Sequence, residues 1–232
     1  MIIRNTSFQN DLCLKEDHFH TISVASPRLY SRIVQSFLNL ANGEEPIERF
    51  MLIEKEVIQK ASALLYVITD PFAIDVNNRK FLSMLYDTIE KELARDTEKY
   101  HQWRMHMIEA GEILTAIADQ LIPDVVSIQD ISISEFAKAT KLMFEIPRQV
   151  EVKSRLYSVM EIFAEFCHGK TLVLSGLLQC LTKEDWRELM KYACYLKVSI
   201  VDIEREISQE LESQEIRWCI QEDYEDIILQ GE

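Results

Sequence analysis

The chain has 232 residues, 47% of them apolar, with 10 Phe, 8 Tyr and 3 Trp, which is enough to bury a core and excludes disorder, while 5 Gly and 5 Pro exclude a collagen-like or low-complexity chain. Twenty-five basic against 39 acidic residues give a formal charge of −14, which excludes a uniformly basic nucleic-acid coat and leaves local basic surfaces as the means of touching DNA. The start Met1-Ile2-Ile3-Arg4-Asn5-Thr6 lacks the basic residues and apolar run of a secretory leader, and no apolar run nears the ~20 residues that cross a bilayer, so a soluble, cytoplasmic protein without membrane contact is expected.

Extended backbone is predicted at residues 1–5 and 19–25, where Phe19, Thr21, Ile22 and Val24 favour strand. A helix follows at once: Ser26 is an N-cap, Pro27 suits the first helical position, and Leu29, Ile33, Val34, Phe37 and Leu38 recur on one face until Asn42-Gly43. Short strands are predicted at 50–53 and 64–69, the second stopped by Asp70-Pro71. From Asn77 the period becomes helical, through Phe81, Leu82, Leu85, Ile89 and Leu93 and then Trp103, Met107, Ala110, Leu114, Ile117 and Leu121. The charged segment 95–99 marks a bend or break, because one uncapped helix of that length is unusual. Pro123 closes the run, and Ser132-Ile133-Ser134-Glu135 reads as a capping box for a short helix ending near 145–147.

After Pro147 helices and strands alternate: a helix over 154–168 stopped by Gly169, a strand at 171–174, a helix over 183–196 capped by Thr182, and a strand at 198–203. That order predicts parallel β-α-β pairing. Residues 217–220 and 222–229 are expected to add an edge strand and a tail. The fold class is α/β, with a discontinuous head domain at 1–75 and 152–232 and an inserted α-helical leg at 76–151.

Motifs for chemistry are poor. Cys13, Cys167, Cys180, Cys194 and Cys219 form no CxxC pair and read as reduced, buried, structural thiols. Ala25-Ser26-Pro27-Arg28 stands where a P-loop enzyme places its phosphate cradle, but the glycines are absent and Pro27 removes an N–H donor. Gly169-Lys170-Thr171 precedes its strand instead of following it, so it reads as a helix stop and strand start. His18, His20, His101, His106 and His168 have no metal-binding spacing and read as surface residues. No nucleophile elbow is present, and no enzyme activity is expected.

Charge is more informative. Residues 202–226 carry ten acids against Arg205 and Arg217, whereas residues 138–155 carry Lys138, Lys141, Arg148, Lys153 and Arg155 against Glu145 and Glu151. Arg28 and Arg32 lie four apart on one predicted helix, with no acid between Asp17 and Glu44. Either basic patch suits phosphate contact, and either also suits an ordinary solvated face. Asp119, Asp124, Asp130 and Glu135 are hard oxygen ligands of the type calcium accepts; they lack the EF-hand spacing, and capping or loop acids are the alternative reading.

Four stretches resemble one family, the accessory spacer-acquisition protein of type II-A CRISPR loci (Csn-two). They are Leu29-Tyr30-Ser31-Arg32-Ile33-Val34-Gln35; Tyr66-Val67-Ile68-Thr69-Asp70 with Ile74-Asp75-Val76-Asn77; residues 169–174 with Leu181-Thr182-Lys183-Glu184; and Gln221-Glu222-Asp223-Tyr224. The resemblance implies a P-loop-like head with a mainly parallel sheet that lacks a nucleotide motif, a helical leg, and a homotetrameric ring around double-stranded DNA. It also implies binding at DNA ends without catalysis or nucleotide, calcium supporting the ring, and partnership with the CRISPR integrase and effector nuclease. A ring can be acidic outside and basic along its bore, so a chain of −14 can still hold DNA. Arg32 matches a basic position of the family; Arg28, Lys138, Lys141 and Lys153 are named from charge alone. In the calcium region Pro123, Val125, Val126 and Ser127 replace acids common in the family, and Asp130 and Glu135 match best. Two other classes are compatible with the residues: an oligomeric protein-binding scaffold using the stripe Phe81, Leu85, Ile89 and Leu93, and a degenerate P-loop ATPase built at residues 26–28.

Overall fold

The computed structural model describes residues 1–15, 17–121, 131–145, 151–207 and 210–231, and the chain divides into two compact units, Met1–Ile74 with Ile146–Glu232, and Asp75–Glu145. In the first unit, strand β1 (Ile2–Asn5) pairs antiparallel with the short β2 (Leu12–Cys13) and with β4 (Phe50–Glu54), which turns back into β5 (Val57–Ile58). The larger sheet is built on β3 (Phe19–Val24), all six residues of which are buried. Its strand order is β10-β9-β3-β8-β7-β6, from β6 (Leu65–Ile68), β7 (Thr171–Ser175), β8 (Ser199–Arg205), β9 (Glu215–Ile220) and β10 (Asp226–Gln230). Five strands run parallel and β10 is antiparallel to β9. The segment expected to be an edge strand, β9, is therefore interior, because Phe19–Val24 pairs with it along its full length; the edge falls to β10.

Helix α1 (Pro27–Asn42) starts where expected, with Ser26 Oγ accepting Leu29 N at 3.4 Å and Pro27 in the first turn, and Gly43 ends it in the left-handed region at φ 80°. Leu29, Ile33 and Phe37, spaced by four, form its buried stripe. They share one core with Ile22 and Val24 of β3, Val201 and Ile203 of β8, Trp218 of β9, and Ile3, Leu12, Phe50 and Leu52 of the small sheet. A four-residue helix, α2 (Ala61–Leu64), precedes β6. The opposite face of the large sheet carries α6 (Val152–Phe166) and α7 (Lys183–Tyr195); Trp186 of α7 sits edge-on to Phe19, and Phe163 of α6 to Tyr66. Thr182 caps α7 by accepting Asp185 N at 3.1 Å.

The C-terminal strand is tied to the N-terminal hairpin by Asp226. Its carboxylate accepts Trp218 Nε1 at 2.7 Å, Gln9 N at 2.6 Å and Asn10 N at 3.0 Å, while its carbonyl accepts Asn10 Nδ2 at 2.9 Å.

In the second unit, α3 (Arg79–Arg95) is capped by Asn78, whose side chain accepts Lys80 N and Phe81 N, and buries Phe81 and Tyr86. α4 (Thr97–Leu121) follows after a break at Asp96, inside the segment that the charge pattern marks. The short α5 (Ile133–Ala139) opens with the expected capping box of Ser132 and Glu135 and buries Ile133 and Ala137. Tyr86 Oη donates to the Leu142 carbonyl at 2.9 Å, and the Asn77 side chain bonds both main-chain groups of Phe144. None of the side chains described in α4 is buried, and Ile113, Leu114 and Ile117 are 62%, 68% and 52% exposed.

Two sequence expectations are corrected. His20 is not a surface residue: it lies on a fully buried strand, with Nε2 accepting Lys15 N at 2.9 Å and Nδ1 facing the Ile200 carbonyl at 3.2 Å. Of the five thiols expected to be buried, Cys167 is buried and Cys180, Cys194 and Cys219 are half-buried, whereas Cys13 is exposed, because the two-residue β2 is the outer strand of its sheet and Cys13 alternates outward from Leu12.

Candidate nucleic-acid interface

The solvent side of α1 bears Arg28, Ser31, Arg32 and Gln35, and no acid occurs anywhere in the helix. Arg28 is exposed. Arg32 is half-buried and its Nε donates to Glu48 Oε1 at 2.5 Å, Glu48 itself being buried. Ser36, on the buried side of the same helix, fixes this arrangement: its Oγ donates to the Arg32 carbonyl and accepts Glu48 N, both at 2.7 Å. The loop entering β4 is thereby stitched to α1, and the guanidinium of Arg32 is held at one place with part of its N–H fork still facing solvent.

Beside it is an open hollow of about 600 Å³ lined by Thr6, Ser7, Arg32, Ile47, Glu48, Arg49 and Tyr224. Arg49 is exposed and makes no ion pair among the described residues. Tyr224 is in the left-handed region at φ 69°, a conformation that costs a non-glycine residue on the order of 1 kcal/mol, and its ring stacks on Phe8 at 5.8 Å and 22°. Two cations, two hydroxyls and an aromatic ring around an open surface suit a phosphate backbone, which Arg, Ser, Thr and Tyr contact without reading sequence. Glu222, Asp223 and Glu225 are exposed in the same β9–β10 turn and limit how far an anion is welcome on that side.

The other named cations are placed differently. Lys153, in the first unit, donates to Asp185 at 2.6 Å and Glu188 at 2.5 Å, and these two bonds hold its ammonium well above the ordinary lysine range. Its charge is already matched twice. Lys138 and Lys141 are exposed in the second unit, Lys141 in the left-handed region at φ 54°. Of the acids named for calcium, Asp124 and Asp130 lie outside the described residues, and Asp119 is exposed on α4. Glu135 is engaged in capping: its Oε2 accepts from both the N–H and the hydroxyl of Ser132, and those bonds hold its pKa below the usual carboxylate range. Among the described residues no three His, Cys, Asp or Glu side chains gather to hold an ion.

In α/β proteins a nucleotide lies outside the C-terminal ends of the parallel strands. At that end of β7 the Tyr30 Oη of α1 stands 3.7 Å from where a Cβ on Gly176 would be. Gly169 adopts φ 73° after α6, and Lys170 N bonds back to the Cys167 carbonyl, so Gly169-Lys170-Thr171 is the end of a helix and the start of β7.

Ser36, Glu48, Arg49, Thr6, Ser7 and Tyr224 escape sequence reasoning because they come from four segments brought together only by folding. The one local signal is Ser36, a hydroxyl between Ile33 and Phe37 on a stripe otherwise apolar.

Three comparisons bear on identity. No curated protein matches the chain. Among solved structures, the crystal structure of Stu0660 of Streptococcus thermophilus superposes with a TM-score of 0.64 at 10% identity over 94% of this chain and 74% of that one, which is a likeness of fold. The family model described as CRISPR-associated protein (Cas_Csn2) matches residues 43–224, so the chain belongs to the Cas_Csn2 family.

Proposed function

We propose that the protein is a non-catalytic double-stranded-DNA-binding component of type II-A CRISPR adaptive immunity, acting at DNA ends during spacer acquisition alongside the integrase and the effector nuclease. The observation that carries this reading is the exposed face of α1, where Arg28 and Arg32 stand in a 26-residue stretch, 18–43, without a single carboxylate, in a chain of −14. Arg49 extends that surface around the hollow. Phosphate contacts supply most of sequence-independent affinity, so a few free guanidinium groups per subunit become effective only when copies are combined. A homotetrameric ring is the arrangement we assign. The P-loop-like character of the head rests on the strand–turn–helix of β3 and α1 and on the parallel strand order, and we assign it no nucleotide.

The test is duplex binding at low salt. Linear duplex is expected to bind and a closed circle to bind far more weakly, and Arg28→Ala with Arg32→Ala is expected to weaken binding of all sequences alike and to flatten the dependence on salt by about one to two counterions per subunit. Equal, salt-insensitive binding by wild type and double variant would defeat the reading. The exposed Ile113, Leu114 and Ile117 on α4 favour a second reading, a protein-binding scaffold, which predicts no duplex affinity at any salt concentration.

A further inference from the structure

Asp202 and Glu204 lie two residues apart on β8, so their side chains project from the same face of the large sheet, and both residues are buried, at 0% and 2% exposure. Each carboxyl group is anchored. Trp186 Nε1, on α7, donates to Asp202 Oδ2 at 3.0 Å, and Leu178 N, in a 3₁₀ turn at Leu177–Gln179, donates to Glu204 Oε1 at 2.8 Å. Asp202 Oδ1 is buried without a hydrogen-bond partner among the described residues, and Glu204, if ionised as well, has no donor to offer it.

Among the described residues no donor reaches Asp202 Oδ1 and no cation is paired with either carboxyl. Thr21, opposite Asp202 on β3, is buried and its hydroxyl is itself without a partner. Arg217, opposite Thr21 on β9, directs Nε and Nη2 at buried Glu215, at 2.6 and 2.7 Å. Tyr30 from α1 and Cys180 beyond the 3₁₀ turn face the pair as neutral groups, both raised above their ordinary values by burial first and by Glu204 next. Asp70 acts on Cys180, and Arg205 acts on Tyr30 from the exposed end of β8. Fully ionised, the buried set would hold three carboxylates against one guanidinium.

We propose that the Asp202–Glu204 pair retains one proton at neutral pH, and that this proton latches the end of β8 to the Leu177–Gln179 turn, so that alkaline conditions open that edge of the head. With the proton on Asp202 Oδ1, the acid donates to Glu204, whose remaining lone pairs receive Leu178 N–H. When hydroxide removes it, two like charges meet in a dry site, and Glu204, nearer the exposed strand end, withdraws from Leu178. Burial is the main cause holding both groups up, Glu204 at about 7 and Asp202 well above the ordinary carboxyl range. A group whose pKa is raised on folding favours the folded state most at low pH, so stability declines as pH climbs from the unfolded values of 3.8 and 4.5 through the folded ones.

Infrared difference spectra of the full chain at about pH 7.5 are expected to show a protonated-carboxyl C=O stretch that Asp202→Asn removes. Between about pH 6 and about pH 9 the wild-type melting temperature is expected to fall by ~3 °C per pH unit more than that of Asp202→Asn, which carries a fixed N–H in place of the proton. Should Asp202→Asn not fold, Glu204→Gln serves with amide exchange at Leu178: protection is expected to drop with pH in the wild type and to hold in the variant. Absence of the stretch from the wild type, parallel melting curves, or equal pH dependence of exchange at Leu178 would each overturn the proposal.

Discussion

Glu48 decides how much of Arg32 a phosphate can use. The carboxylate already takes one N–H of the guanidinium, and Ser36 keeps it in place. Glu48→Gln preserves a hydrogen-bond acceptor while deleting the opposing charge, and is expected to tighten duplex binding several-fold at low salt and to steepen the salt dependence by about one counterion. Fluorescence anisotropy across a salt series reads both. His20 answers to pH in the opposite sense to the carboxyl pair. Burial holds its ring at about 4, below its ordinary 6.5, so the neutral form is part of the folded state. Its contribution is fully present above 6.5 and is lost as pH falls from 6.5 through 4. His20→Leu is expected to melt lower at neutral pH, because Lys15 N loses its acceptor, at a cost of about 1–3 kcal/mol, and to lose less further stability on acidification than the wild type. Thermal unfolding at several pH values tests both statements.

At the scale of elements, α1 is the most legible part of the chain and also the most consequential. Its cap, its first-turn proline and its stop are local in sequence and appear at the predicted residues, and of the predicted stripe Leu29, Ile33 and Phe37 are buried while Val34 and Leu38 are half-buried. The same holds for the Thr182 cap of α7 and the Ser132–Glu135 box of α5, because such motifs are completed within four residues. The interior place of β9 is not legible for the converse reason: an apolar run shows that a strand is buried but says nothing about which strands flank it. The hairpin partners β2 and β5, two residues each, are too short to carry a period. The burial of His20 is not legible in the sequence because its ring is satisfied by one donor, Lys15 N, and one carbonyl, that of Ile200, 180 residues away. Phe37 is the element-scale test of packing. It is wholly buried, against Phe50 at 5.0 Å between ring centroids, and Phe37→Ala is expected to cost ~3–5 kcal/mol in chemical denaturation while leaving Arg28 and Arg32 on an intact solvent face.

For the molecule as a whole, the candidate interface is legible only in part. Arg28 and Arg32 are named from their spacing and from the gap in acids around them, whereas the acids that quench Lys153 lie 32 and 35 residues beyond it and no local pattern announces them. Segregation of charge along a sequence therefore says where cations are abundant, not where they are free. If duplex binding requires several copies, the mass of the protein in solution and its duplex affinity should fall together on dilution, and sedimentation across a concentration series measures this. A monomer that binds duplex with undiminished affinity would remove the ring from the account.

The central strand β3 has its neighbours at β8 and β9, about 180 and 196 residues downstream, and the hairpin made first is fastened by Asp226, near the end. During translation at roughly 5–20 residues per second, the earliest segment emerges from the ribosome tens of seconds before its partners exist. Its apolar residues Phe19, Ile22 and Val24 must be sheltered during that interval, so production in cells is expected to depend on holding chaperones more than the modest size of the protein suggests.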